Sequence, residues 1–142
     1  MIQIVRCARE AWPTLALIWE RSVRATHGFL AEEDFREIRE RLLSDYFPMV
    51  ELYAVEDDGV YSGFIGLSAE GIEMLFIDSN RLRSGLGSML IEFAKGRGAT
   101  KVDVNEQNHS ALGFYLAKGF RVVSRDATDE AGRPYPILHL SL

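Results

Sequence analysis

Cys7 is the only cysteine in this 142-residue chain. It cannot close an intrachain disulfide or build a cysteine-rich zinc site, and a reducing, cytoplasmic setting is the default. Histidine is nearly as scarce. His27, His109 and His139 lie far apart, without the i, i+4 spacing of a helical metal pair, so no metal is expected. Basic charge is also short: 16 lysines and arginines stand against 21 acids, a net of -5. That balance argues against a nucleic-acid partner, which demands basic surface, and suits attraction of cationic substrates. Long apolar runs are missing too. The longest, Leu15 to Trp19, is far too short to cross a membrane, and no basic segment leads into an apolar one as in a signal peptide. There is no linker, low-complexity tract or repeat. With 47% hydrophobic residues, residues 1–142 are expected to form a single domain with a full core.

Taken in order, Ile2 to Arg6 reads as a strand. Trp12, Leu15, Ala16, Trp19 and Val23 mark one helix face, with Pro13 tolerated in its first turn. A second helix opens with Glu32, Glu33 and Asp34 and buries Phe35, Ile38 and Leu42, and its charged face reads as a solvated ion-pair surface. After Pro48 come a strand at Leu52 to Val55, a hairpin turn at Asp57-Asp58-Gly59, a partner strand from Val60 to Leu67, and a third strand from Ile72 to Ile77. Gly63 and Gly66 predict a bulge or a close backbone approach. A helix ending at Gly96-Arg97-Gly98, a strand at Lys101 to Val104, and a helix capped by Asn108 follow. Strands from Phe120 to Ser124 and from Tyr135 to Leu142 close the chain. The order β α α β β β α β α β β predicts one mixed α/β domain.

Within it, MLFIDSNRLRSGLGSMLIEF, from Met74 to Phe93, runs strand, turn, helix. Gly85, Gly87 and Ser84 stand at the mouth of a helix whose first N–H groups lack internal partners and whose dipole favours negative charge. Arg81 and Arg83 add positive charge. This is a candidate phosphate cradle, though by itself such a turn is often only a tight connection. A dinucleotide fingerprint is excluded because Leu90 stands where its third glycine belongs, and no Gly-Lys-Ser/Thr of a P-loop is present.

The second informative stretch is VNEQNHSALGFYLAKGF, from Val104 to Phe120. Asn-x-x-Ala-x-x-Phe-Tyr-x-x-x-Gly-Phe, downstream of a strand–Gly-x-Gly–helix unit, resembles the GNAT superfamily of N-acetyltransferases. The resemblance spans the chain. Its opening Val-Asn-Glu-Gln-Asn is similar to that of small bacterial members acting on proteins or small amines. In one departure, Leu82 occupies the position where the family's phosphate turn usually has Gln or Arg.

The resemblance implies a mixed, mostly antiparallel sheet whose fourth and fifth strands start parallel and splay apart, with helices on both faces. It implies acetyl-CoA as cosubstrate. The pantetheine arm would pair with backbone at Leu75, Phe76 and Ile77. The pyrophosphate would sit on the turn formed by Leu82, Arg83, Ser84, Gly85, Leu86, Gly87 and Ser88. Asn108, Phe114 and Tyr115 would line the other side, and Lys118 would help to neutralise phosphate. The expected reaction is direct attack of a primary amine on the thioester. The acceptor is a protein lysine, a protein N-terminus or a small cationic amine, and the enzyme is a monomer or homodimer. Tyr115 is the expected acid for the departing thiolate; the plainer alternative is a core aromatic. The base is expected at Glu73 or Asp103. Glu73, two residues before Leu75, should share that residue's face of the strand, and it is favoured because Asp103 is one methylene shorter and its strand is expected farther from the thioester. His27 and Tyr135 are weaker candidates for the acceptor wall, and Glu32, Glu33, Asp34 and Glu37 for steering. A non-catalytic acyl-CoA-binding or sensing domain of the same fold stays open. So does a less favoured adenine-nucleotide-binding domain.

Overall fold

Only one neighbouring pair of strands runs parallel, and the candidate site lies where that pair parts. The computed structural model describes residues 1–142. Its elements follow the expected order: β1 (Ile2–Cys7), α1 (Trp12–Thr26), α2 (Glu32–Arg41), β2 (Glu51–Asp57), β3 (Val60–Leu67), β4 (Gly71–Ile77), α3 (Leu86–Gly96), β5 (Lys101–Asn105), α4 (His109–Ala117), β6 (Arg121–Asp126) and β7 (Ile137–Ser141). The strands form a single sheet in the order β1-β2-β3-β4-β5-β7-β6.

β4 and β5 are parallel partners only at Gly71–Lys101 and Ile72–Val102. A methyl group on Gly71 would run into the Lys101 carbonyl oxygen, so the strands touch there because glycine has no Cβ. Past Ile72 they share no register pair, and each shows an unpartnered backbone edge to the other. β3 holds the far edge of β4 up to Gly63–Ile77, and β7 holds the far edge of β5.

Alternation along the strands divides the core into two clusters. In β2, Leu52 and Ala54 face α1 and α2, while Tyr53 and Val55 face α3 and α4. The first cluster takes Leu15, Ile18, Trp19 and Val23 from α1, Phe35 from α2 and Phe64 from β3. Trp19 stacks on Phe35 at 5.1 Å and meets Phe76 of β4 edge-on at 6.5 Å. The second takes Leu86, Leu90 and Ile91 from α3, Tyr115 from α4, and Val102, Val104, Leu138 and Leu140 from β5 and β7. Full burial of each such large side chain contributes roughly 1.5–3 kcal/mol.

One tie fixes α1 to the end of β4. Arg21 donates through Nε and Nη2 to the two carboxylate oxygens of Asp78 at 2.9 and 2.7 Å, and Asp78 is only 6% exposed. The guanidinium holds the Asp78 carboxyl below the usual range. The tie is therefore at full strength at neutral pH and is lost as pH falls through that lowered value.

The structure departs from the sequence reading in β4. Gly66 faces Met74 but Leu67 faces Ile72, so β4 carries an extra residue at Glu73. Ile72 consequently buries in the same cluster that Leu75 and Ile77 pack against, although it stands at an odd offset from each, where strict alternation would put it on the opposite face. Period-two parity does not carry across Glu73, and the expectation that Glu73 and Leu75 share a face loses its basis.

Candidate active site

The turn before α3 presents its backbone outward. Gly85, the N-cap, has φ +85°, Arg83 has φ +62°, and no side chain caps the helix. Ser84 Oγ closes the turn by donating to the Arg81 carbonyl oxygen. From Arg83 through Ser88, six successive N–H groups donate to nothing in the protein. Unmet donors at a helix N-terminus attract an anion through both hydrogen bonding and the dipole. Gly87 serves a different need: a Cβ there would lie 3.3 Å from the Phe114 ring, so its absence lets α3 approach α4.

Only part of the expected positive charge is available. Arg81 turns back, with Nη1 3.0 Å from an Asp57 carboxylate oxygen and donating to Ser62 Oγ at 3.3 Å. Arg83 and Lys118 make no ion pair, and Lys118 Nζ lies 5.7 Å from the centre of the Phe114 ring that packs against Gly87. Arg83 and Lys118 therefore remain as free cations near the cradle. Leu82 is exposed and takes no part in the turn's hydrogen bonds.

The open edge of β4 at Leu75, Phe76 and Ile77 leads into this turn. Across the gap, Asn108 caps α4, its Oδ1 accepting from Ala111 N at 3.2 Å, while its side-chain amide nitrogen, Nδ2, stays unpaired. Tyr115 rises from α4 between Phe114 and Phe120, at ring distances of 5.4 and 5.8 Å. Its ring is buried, yet its hydroxyl bonds to no protein group. Because no sealed side-chain oxygen lacks a partner in this protein, that hydroxyl is open to a ligand or to water. Burial pushes the phenol well above its ordinary pKa, so it keeps its proton at every working pH.

The carboxylates have other surroundings. Glu73 is exposed at the bulge and accepts from Ser68 Oγ at 3.1 Å. Asp103 is engaged with His139, whose Nδ1 lies 2.7 Å from Asp103 and whose Nε2 lies 2.6 Å from Asp126. A neutral imidazole has a single N–H donor, so serving two carboxylates requires the imidazolium. Asp126 and Asp103 accordingly raise the pKa of His139. Asp103 is thus committed to His139 rather than free in the cleft.

On the α1/α2 face, the segment between β6 and β7 is fastened to α2. The Tyr135 hydroxyl accepts from Ala31 N at 3.0 Å and donates to Asp34. Arg133 lies among Asp34, Glu37 and Asp129. These contacts, together with Arg24–Glu32, employ three of the four acids considered for steering. Phe29 fills the corner between His27 and Tyr135, at 5.2 and 6.2 Å. The sequence reading did not foresee Arg133, whose partner Glu37 lies 96 residues away.

Several known proteins resemble this chain in sequence or fold. The sequence pattern described as acetyltransferase (GNAT) domain matches residues 21–135. The peptidyl-lysine N-acetyltransferase YjaB of Salmonella typhimurium is 43% identical over 99% of this chain and 97% of its own length. The solution structure of apo-form YjaB from Escherichia coli superposes with a TM-score of 0.91 at 37% identity, covering 99% of this chain and 97% of that one. At 20% identity, the PaiA N-acetyltransferase of Thermoplasma acidophilum, solved in complex with coenzyme A, shares the fold with a TM-score of 0.73 over 100% of this chain and 99% of that one.

Proposed function

The chain belongs to the GNAT family of acetyltransferases, and on that premise we propose that it acetylates lysine side chains of proteins at the cleft between β4 and β5. It is an acetyl-CoA-dependent N-acetyltransferase that passes an acetyl group to a primary amine. A protein lysine as acceptor is supported by the YjaB relative, named for peptidyl-lysine and alike along nearly the whole chain.

One observation carries the cofactor assignment: six unmet amides from Arg83 to Ser88 at the end of an unpaired strand edge. We assign the pyrophosphate to those amides, with Arg83 and Lys118 as counter-charges. The pantetheine arm takes the place of a strand along Leu75, Phe76 and Ile77, with the Asn108 amide and Phe114 opposite. A backbone N–H near Leu75 receives the oxyanion, and Tyr115 faces the leaving sulfur. The test is thermal unfolding with acetyl-CoA and NAD in parallel. Acetyl-CoA at about 100 times its Kd should stabilise by roughly 2.7 kcal/mol. No shift, or an equal shift with NAD, overturns the assignment.

Glu73 receives a limited role. Glu73 lies exposed at the bulge, held by Ser68, rather than enclosed beside the thioester. Its charge at the start of the splay draws the cationic amine in. Glu73→Gln should raise the amine KM several-fold and leave kcat within about threefold, with Asp103→Asn nearly silent. A collapse of kcat in either variant would restore that carboxylate as the base.

A further inference from the structure

The reaction needs a proton acceptor that neither carboxylate supplies well, and the α1–α2 connection holds another candidate. α1 is anchored over β4 through Arg21–Asp78 and Trp19–Phe76. The start of α2 is anchored to the β7 side through Ala31 and Tyr135, where Ile137 pairs with Asn105 of β5. Residues 27 to 30 therefore cross from the β4 side to the β5 side, over the mouth of the wedge.

His27 stands at the start of that crossing, and its tautomer can be read from its partners. Thr26 Oγ1 donates its single proton to the Ser22 carbonyl oxygen at 2.8 Å. The same oxygen lies 2.7 Å from His27 Nδ1. Since a carbonyl can only accept, the hydroxyl proton is committed there, and Thr26 must accept from Nδ1–H. The neutral ring then carries its lone pair on Nε2, which has no protein partner. His27 lies in no ion pair, and the charged groups at this corner are matched to one another: Arg24 with Glu32, and Arg133 with Asp34, Glu37 and Asp129. Phe29 and Tyr135 supply an apolar flank for an alkyl chain.

We propose that His27 is the general base, taking the proton of the acceptor ammonium on Nε2 while Thr26 fixes the ring. The proposal rests on the acetyl-transfer reading above. The ammonium gives one proton to Nε2. The amine lone pair then forms the C–N bond, and the carbonyl electrons move onto oxygen. Collapse breaks the C–S bond, the sulfur takes the Tyr115 proton, and the phenolate recovers a proton from the newly bonded nitrogen. His27 finally releases its proton to water, so the net change is one proton released per acetyl transferred. Burial lowers the pKa of His27, which keeps it neutral and receptive at pH 7. By ordinary values, an imidazole is still about a hundredfold stronger as a base than a glutamate.

The experiment is the pH profile of kcat/KM by CoA release, with a small primary amine and a lysine peptide run side by side. Wild type should climb only at pH below the ordinary imidazole range, where the burial-lowered His27 protonates, and level off above it. His27→Asn should instead keep climbing about tenfold per pH unit toward the amine pKa near ~10, because only free amine then reacts. Its deficit at pH 7 should be about 10³-fold and should shrink about tenfold per pH unit, vanishing near the amine pKa. An unchanged acetyl-CoA-induced Tm shift in the variant would confirm an intact fold. Added imidazole should restore rate to His27→Ala, which a purely structural role would not allow. Superposable profiles for His27→Asn and wild type, or no rescue, overturn the proposal. If only the peptide fails while the amine shows these profiles, the protein-lysine reading falls and His27 stands.

Discussion

Tyr115→Phe should lower kcat about a hundredfold or more while acetyl-CoA affinity stays within a few-fold of wild type. The substitution keeps the ring that packs between Phe114 and Phe120 and deletes a hydroxyl without a protein partner. Folding loses no hydrogen bond, so stability should change by less than about 1 kcal/mol. The sulfur behaves differently. In the thioester it is neutral and a poor acceptor; as the C–S bond breaks it becomes a thiolate, and a donor aimed at it stabilises charge that exists only late in the reaction. Removing such a donor costs roughly 10²–10³ in rate. Burial holds the phenol protonated, so Tyr115 should produce no falling alkaline limb below about pH 10. The measurement is steady-state kinetics with one good amine, beside calorimetric titration of acetyl-CoA. Wild-type turnover would remove the acid role, and equal losses of binding and rate would make Tyr115 a cofactor-orienting residue.

Gly85→Val should abolish measurable acetyl-CoA binding at concentrations that saturate wild type. Gly85 has φ +85°, which a β-branched residue adopts only under strain of about 1–3 kcal/mol. A Cβ there meets no protein atom within 4 Å, so the side chain enters the space in front of the amides rather than the core. Charge-assisted hydrogen bonds contribute about 1.5–3 kcal/mol each. Displacing two anion contacts thus weakens binding by roughly 10²-fold or more. Gly96→Ala is the control: it lies at the other end of α3 in open space and should bind normally. A Gly85→Val protein that is folded by circular dichroism and retains the acetyl-CoA thermal shift would exclude the turn as the phosphate site.

Local patterns made most of the fold legible in the sequence. Apolar periodicity located α1 and α3, the Asp58–Gly59 turn has the two positive φ values of a tight hairpin, and Asn108 caps α4 as its position suggested. What escaped depends on partners distant in sequence. Arg81 adds positive charge beside the turn in sequence, whereas in the fold Asp57 and Ser62 hold it back. Glu73 looked co-facial with Leu75 because strand periodicity cannot register an extra residue. Tyr135 reads as ordinary strand, whereas its hydroxyl meets Asp34 across 101 positions. The His27 assignment was hidden for another reason: it depends on which atom holds a single proton, and only the positions of Ser22 and Thr26 together reveal that.

The two register pairs joining β4 to β5 have a mechanical consequence. The sheet consists of two leaves, β1 to β4 and β5-β7-β6, riveted at Gly71 and Ile72. Swinging the leaves about that rivet breaks no strand pairing. It strains the fastening of Tyr135 and Arg133 to α2, and that fastening sits at the far, wide end, where leverage is greatest.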